Sequence, residues 1–107
     1  MGVKYGIRKV AVKGIVYDSK AEANRHQELM LSEKAGKIEA LRYHALRFAL
    51  GRSDKRRLIT YTPDFTYIQD GRLVAEEVKG PRVRDWPVRV VLFKEKFPEW
   101  ELRVKEV

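Results

Sequence analysis

A tight-turn signal in this chain determines how two acidic residues face each other. Asp70-Gly71 stands between two runs of strand-forming residues and predicts a two-residue hairpin. Pairing outward from the turn places Asp64 opposite Glu77, with Lys79 on the same face. Facing carboxylates repel each other, so the pair favours a divalent cation between them and makes Lys79 a candidate catalytic group. Alternatively, the hairpin is solvated and Lys79 only neutralises the acids, since a D-x(n)-E-x-K spacing often occurs by chance.

The same register separates two adjacent glutamates. Glu77 shares a face with Asp64, whereas Glu76 points to the opposite face together with Phe65 and Val78. We expect that opposite face to be the core, because its other members are apolar. Glu77 is therefore the candidate site residue, and Glu76 is not.

Length and composition restrict the class of protein. A chain of 107 residues is enough for one modest core, so residues 1–107 are predicted to form a single domain. The absence of cysteine excludes disulfides and thiolate metal sites. The sequence has no apolar run of about 18 residues, so we expect no membrane span. Since the start of the sequence carries no secretory signal, a cytoplasmic location is expected.

The charge balance favours nucleic acid as the partner. Lys and Arg number 23 against 15 Asp and Glu, which leaves a formal net charge of +8. A small basic domain binds phosphates readily because their neutralisation releases counterions. The alternative is a surface whose charge only maintains solubility. The basic residues concentrate in residues 4–13, 52–57 and 79–96, which either converge into one groove or form three separate surfaces.

Local patterns predict a mixed α/β fold. The first helix has a capping-box start at Ser19 with Glu22, and Gly36 is its left-handed stop. In chain order the predicted elements are a hairpin within Lys9 to Tyr17, a helix over Lys20 to Ala35, one or two strands within Ile38 to Leu50, a polar loop over Gly51 to Lys55, a strand over Arg57 to Ile68 that is interrupted or bent near Pro63, its partner over Arg72 to Lys79, a helix opening at Asp85-Trp86-Pro87, and a strand over Trp100 to Val107 with Leu102 and Val104 inward. This order predicts an α/β domain with a mixed central β-sheet flanked by helices.

The second predicted helix bears on assembly because it has two apolar stripes on opposite faces. One stripe contains Trp86, Val90, Phe93 and Phe97, and the other contains Val88, Val91 and Leu92. If one stripe covers the sheet, the other needs a cover of its own, and a two-fold homodimer is the simplest one. The alternative is that the last strand or a loop covers it.

Four stretches of sequence resemble a known nuclease superfamily. Pro63-Asp64 with Glu77-Val78-Lys79 is similar to the signature of the PD-(D/E)xK, or restriction-endonuclease-like, superfamily. Residues 17–25 and 33–38 resemble small phage-encoded proteins assigned to that superfamily. The set of Glu22, Asp64, Glu77 and Lys79 is also similar to the pattern of archaeal-type Holliday junction resolvases, which are magnesium-dependent dimers.

The resemblance implies a role for each residue of the set. Asp64, Glu77 and the Val78 carbonyl would hold Mg²⁺, for which Mn²⁺ would substitute. Lys79 would orient or deprotonate the attacking water. Glu22 would complete the acidic site or support a second ion, although a purely capping role also explains it. A restriction-endonuclease-like core is the implied fold.

The predicted function is a structure-selective DNA endonuclease that resolves four-way junctions by paired nicking as a homodimer. The alternatives are a phage nuclease acting on other branched or linear DNA, and a basic nucleic-acid-binding module without catalysis. If the protein is phage-encoded, it would act in the host cytoplasm. Neither His26 nor His44 is assigned a role, because no second histidine stands at metal-ligand spacing, and Arg25 is either a phosphate contact or a solvated helix residue. The candidate DNA-binding residues are Lys4, Arg8, Lys9, Arg25, Arg82, Arg84, Arg89 and Lys96.

Overall fold

A four-stranded mixed sheet lies at the centre of the computed structural model, which describes residues 9–78 and 86–106. The strands of this sheet are β3 (Glu39–Tyr43), β6 (Phe65–Gln69), β7 (Arg72–Val78) and β8 (Trp100–Lys105), in the order β3-β6-β7-β8. The β7–β8 pair is parallel and the other two pairs are antiparallel. The predicted α/β class with a mixed sheet is therefore confirmed.

Two short hairpins accompany the sheet. The first joins β1 (Val10–Val12) to β2 (Ile15–Tyr17), in the predicted region. The second joins β4 (Phe48–Arg52) to β5 (Leu58–Tyr61). The sequence predicts that a polar loop begins at Gly51. This start is wrong, because β4 continues to Arg52, with a register shift between Ala49 and Gly51.

Both helices form where the sequence predicts them. The first, α1 (Lys20–Lys34), begins at Ser19, whose hydroxyl accepts a hydrogen bond from the Glu22 N–H, and Gly36 follows it at φ 78°. The second is α2 (Trp86–Lys96), with proline in its first turn. The predicted opening residue Asp85 lies outside the described residues. Neither helix of the described chain is long and apolar enough to cross a membrane.

The β6–β7 hairpin has the predicted register. Its pairs run from Gln69–Arg72 at the turn to Phe65–Glu76 at the open end. Glu76 therefore lies on the same face as Phe65, and only 1% of its surface is exposed. The separation of Glu76 from Glu77 by the pleat is confirmed.

The sheet has an apolar cluster on each face. One cluster, on the side of α1, contains Leu29, Phe65 and Val78. The other contains Ala75 and Phe93 and joins the sheet to α2 and the β4–β5 hairpin. Because neighbouring residues of β7 point to opposite faces, Ala75 and Val78 belong to different clusters.

Two apolar residues are more exposed than their patterns suggest. Val104 was predicted to point inward and is 45% exposed, because the apolar cluster on its face ends beside Leu102, whereas Val104 lies beside Glu77. On α2, Val91 is 55% exposed although Phe93 is fully buried. Val88 and Val91 of the second stripe therefore face outward, whereas Leu92 was wrongly assigned to that stripe, because it packs against the same cluster as Phe93.

Candidate functional site

Asp64 lies where the β6–β7 hairpin opens, one residue before β6. Its carboxylate is buried, and Oδ2 accepts a hydrogen bond of 2.8 Å from the backbone N–H of Val78. The regular β6–β7 pairing ends at Phe65–Glu76, and beyond it the Asp64 side chain supplies the acceptor for the Val78 N–H. This contact holds the carboxylate beside Glu77.

Glu77 faces the same region from β7. The Tyr61 hydroxyl donates a hydrogen bond of 2.7 Å to Glu77 Oε1. Burial, reinforced by the neighbouring charge of Asp64, raises the pKa of Glu77 to about 7. Burial also raises the pKa of Asp64, despite hydrogen bonds from His44 and Val78 that favour its ionised form. Two carboxylates with raised pKa values in one place are a frequent mark of a functional site.

Glu22 reaches this region from the first turn of α1. Its backbone N–H is bound by Ser19, while its carboxylate accepts a hydrogen bond of 2.8 Å from the Tyr43 hydroxyl at Oε1. The two interpretations of Glu22 are therefore compatible: its backbone takes part in the helix cap and its carboxylate points to the acidic cluster.

His44 lies between Glu22 and Asp64. Its Nε2 is 3.1 Å from Asp64 Oδ1 and 3.4 Å from Glu22 Oε1. Hydrogen bonds with Asp64 and then Glu22 raise the pKa of His44 to about 10. Sequence reasoning left His44 without a role. The β3–β6 register identifies His44 as a site residue. Tyr43 pairs with Phe65, so the next position along each strand brings His44 beside Asp64.

Asp18 forms the outer edge of the cluster and was also not predicted. Its Oδ1 accepts from the Lys9 ammonium at 2.8 Å, and its Oδ2 is 3.9 Å from Nδ1 of His44. One ligand atom from each of Asp18, Glu22 and His44 lies within 4.8 Å of the others. Lys9, a predicted DNA contact, is thus paired with an acid at the edge of the acidic cluster.

The donor set fits a divalent cation. Carboxylate oxygens of Glu22, Asp64 and Glu77 are the ligands that Mg²⁺ and Mn²⁺ prefer. In the described chain, His44 and Lys9 are the cationic side chains that pair with this acidic cluster. A divalent ion bound there would offset the burial of charge and the repulsion from neighbouring carboxylates, which raise the pKa values of Asp64 and Glu77.

Arg25 does not lie at the acidic cluster. Its Nε and Nη2 donate to the two carboxylate oxygens of Glu76 at 2.6 and 3.0 Å, and Nη1 donates to Glu28. Tyr67 also donates to Glu76, at 2.6 Å. Arg25 is therefore not a solvated helix residue, because Glu76 and Glu28 hold its guanidinium, and we omit it from the proposed DNA surface.

The other predicted residues are distributed as follows. Arg89 donates from Nε to the Thr60 carbonyl at 3.0 Å, and Lys96 is exposed in the last turn of α2. His26 is buried, with its Nδ1 in a 2.6 Å hydrogen bond with the Tyr17 hydroxyl. The predicted residues that lie outside the described residues are Lys4, Arg8, Lys79, Arg82 and Arg84.

Fold and site define a small α/β protein with a partly buried cluster of acids and one histidine at the open end of a hairpin. The chain belongs to the family described as "Protein of unknown function (DUF1064)", whose model matches residues 2–106. No curated protein and no solved structure matches the chain.

Proposed function

We propose that the protein is a metal-dependent DNA endonuclease of the PD-(D/E)xK type. The observation that carries the proposal is the convergence of Glu22, Asp64 and Glu77, from three different elements, on one buried region. A protein of net charge +8 that only bound nucleic acid would have no use for buried carboxylates that repel phosphate. A nuclease needs such carboxylates to hold a cation against the phosphate.

The residues have distinct tasks in this proposal. Asp64, Glu77 and Glu22 hold the ion, together with the Val78 carbonyl, and Tyr61 orients the Glu77 carboxylate. A bound Mg²⁺ supplies polarisation of the scissile phosphate and a lower pKa for a coordinated water. Lys79 orients the attacking water and stabilises the negative charge that develops on the phosphate.

The proposed substrate is a four-way DNA junction, cut by two symmetric nicks from a homodimer. This choice depends on the resemblance of Glu22, Asp64, Glu77 and Lys79 to the resolvase pattern. A nuclease for other branched or linear DNA uses the same site, so the choice of DNA is tested separately from the chemistry.

Cleavage with and without metal tests the chemistry. We expect nicking in Mg²⁺ that is absent in EDTA, and a loss of about 100-fold or more in Asp64→Asn and Glu77→Gln. Glu95→Gln, an exposed acid on α2, is the matched control and should retain wild-type cleavage. Cutting that persists in both site variants would contradict the proposal, and DNA binding without cutting by the wild type would favour a binding module.

A substrate panel tests the choice of DNA. A four-way junction, a fork, a flap and a linear duplex of matched sequence are incubated with the protein in Mg²⁺. Preferential paired nicking of the junction is expected. Equal cutting of all four would remove the resolvase assignment and leave the nuclease.

A further inference from the structure

Three atoms at the candidate site come from three different elements, and one of them, His44 Nε2, lies close to the other two. Glu22 Oε1 comes from α1, Asp64 Oδ1 from the residue before β6, and His44 Nε2 from the residue after β3. His44 Nε2 is 3.1 Å from the Asp64 oxygen and 3.4 Å from the Glu22 oxygen. The imidazole therefore stands among the carboxylates that the proposed nuclease uses.

These spacings are those of neighbouring ligands around one metal ion. Imidazole and carboxylate ligands lie about 2.0–2.2 Å from a first-row divalent ion. Two such ligands at octahedral or tetrahedral angles are about 3.0–3.5 Å apart, by simple geometry from that bond length. Both measured separations, 3.1 and 3.4 Å, fall in this range. His44 is therefore spaced from Glu22 and from Asp64 as one ligand is from its neighbour around an ion.

The His44 ring is fixed in position from several sides. Its backbone N–H donates to the Asp64 carbonyl at 3.0 Å, and its backbone has φ of 51°, an uncommon conformation for a residue with a side chain. The ring stacks on Tyr43 at a centroid separation of 4.0 Å, and the Tyr43 hydroxyl binds Glu22.

Asp18 completes the arrangement on the far side of the ring. Its Oδ2 lies 3.9 Å from Nδ1 of His44. Metal-binding histidines commonly direct their second nitrogen to a carboxylate, which fixes the tautomer and orients the ring. Asp18 is positioned for that role while Nε2 faces Glu22 and Asp64.

We propose that His44 is a metal ligand through Nε2, and that with Glu22 and Asp64 it forms a mixed imidazole–carboxylate site that selects a first-row transition-metal ion such as Mn²⁺ over Mg²⁺. Mg²⁺ strongly prefers oxygen ligands, whereas Mn²⁺ and its neighbours accept imidazole nitrogen as well. This inference rests on the proposed function and names the class of cation that it uses.

Metal binding to the DNA-free protein tests the inference directly. Calorimetric titration of the metal-free chain should give a dissociation constant for Mn²⁺ at least about tenfold below that for Mg²⁺. In His44→Gln, which keeps a polar side chain but offers oxygen in place of imidazole nitrogen, the preference should fall to about threefold or less while Mg²⁺ still binds. Asp18→Asn should weaken Mn²⁺ binding less than His44→Gln does. An unchanged Mn²⁺ preference in His44→Gln would overturn the inference.

A spectroscopic measurement on the unsubstituted chain tests the inference without depending on whether the variants fold. Pulsed electron paramagnetic resonance of the Mn²⁺ complex should show coupling to a directly bound imidazole nitrogen, and incorporation of ¹⁵N-histidine should change that coupling. His26, whose Nδ1 is bound to Tyr17 in the core, is not expected to contribute. Absence of nitrogen coupling would overturn the assignment whatever the variants do.

The two proposals fail in different ways. Nitrogen-coordinated Mn²⁺ in a protein that cuts no DNA would contradict the nuclease and leave His44 as a ligand. Cleavage in Mg²⁺ that requires Asp64, in a protein without nitrogen coupling, would leave the nuclease and exclude His44 from the metal.

Discussion

Glu76 and Glu77 are neighbours in sequence with opposite surroundings. Glu76 is 1% exposed, and both of its oxygens accept hydrogen bonds from Arg25 or Tyr67. Glu77 has the Tyr61 hydroxyl as a donor, but it also lies beside the charge of Asp64. The pleat of β7 produces this difference. Replacing Glu76 by Gln should therefore lower the free energy of unfolding, whereas replacing Glu77 by Gln should raise it at neutral pH.

Glu76→Gln should destabilise the protein. The substitution removes the charge that balances Arg25 in a largely buried pair, and loss of one partner from such a pair costs about 3–5 kcal/mol when both are buried. Since 21% of the Arg25 side chain is exposed, we expect the smaller value of about 2–3 kcal/mol. Urea unfolding of the metal-free protein measures the change. A free energy of unfolding equal to that of the wild type would contradict the buried ion pair.

Glu77→Gln should stabilise the metal-free protein at neutral pH. The pKa of Glu77 is about 7 in the folded protein, above its ordinary value of 4.5, so the folded state takes up a proton that the unfolded state releases. Stability from this group is thus present below pH 4.5 and is lost as the pH rises to about 7. Removing the charge should raise the free energy of unfolding by about 1–3 kcal/mol at pH 8.

The pH dependence of that gain is its control. Urea unfolding in EDTA at pH 5 and pH 8 should show a larger advantage of Glu77→Gln over the wild type at pH 8. An advantage that is absent at pH 8, or larger at pH 5, would contradict the raised pKa of Glu77 and with it the burial and the Asp64 charge that cause it.

The turn residues explain why some site residues are predictable and others are not. Asp70-Gly71 sets the local register, and that register alone selects Glu77 over Glu76. His44 lies beside Asp64 only because β3 pairs with β6. These two strands are more than twenty residues apart in the sequence, and their register shifts between Glu39 and Arg42. No local pattern encodes such a contact, so His44 and Asp18 require the three-dimensional structure.

At the level of elements, the β4–β5 hairpin combines a basic tip with a link to the site. Its tip region carries four cationic side chains against a single acid, Asp54. β5 then leads from Leu58 to Tyr61, a distance of about 10 Å, and Tyr61 binds Glu77. The basic residues of this tip are Arg52, Lys55, Arg56 and Arg57.

We expect this tip to contact phosphates of DNA held at the acidic site. The double variant Lys55→Gln with Arg57→Gln should weaken DNA binding and lower the slope of log affinity against log salt by about 2, one for each lost phosphate contact. Binding is measured in EDTA, so that cleavage does not interfere. Both residues are exposed, so their replacement should leave the fold intact.

A second double variant controls for net charge. Lys34→Gln with Lys37→Gln removes the same charge from exposed positions at the end of α1. A smaller loss of affinity in this control supports a specific contact at the hairpin. Equal losses in the two double variants would show that only overall charge matters.

For the whole molecule, the proposed function requires that one small domain act on two strands. Paired nicking of a symmetric junction needs two sites related by a two-fold axis. The outward stripe of α2, with Val88 56% and Val91 55% exposed, is the apolar surface that we propose for the dimer. Two valines are a small fraction of the roughly 800 Å² that each partner buries in a stable complex, so other surfaces must also contribute.

Val91→Glu should therefore shift the protein to monomers in sedimentation velocity, because a charge would be desolvated at the interface. Leu31→Glu is the matched control, since Leu31 is a 69% exposed apolar residue on α1, and it should leave the dimer unchanged. The monomeric variant should still nick a single strand but should lose simultaneous cutting of both strands of a junction, because each molecule then carries one site. A wild-type protein that sediments as a monomer at all concentrations, with or without junction DNA, would contradict both the dimer and the paired-nicking mechanism.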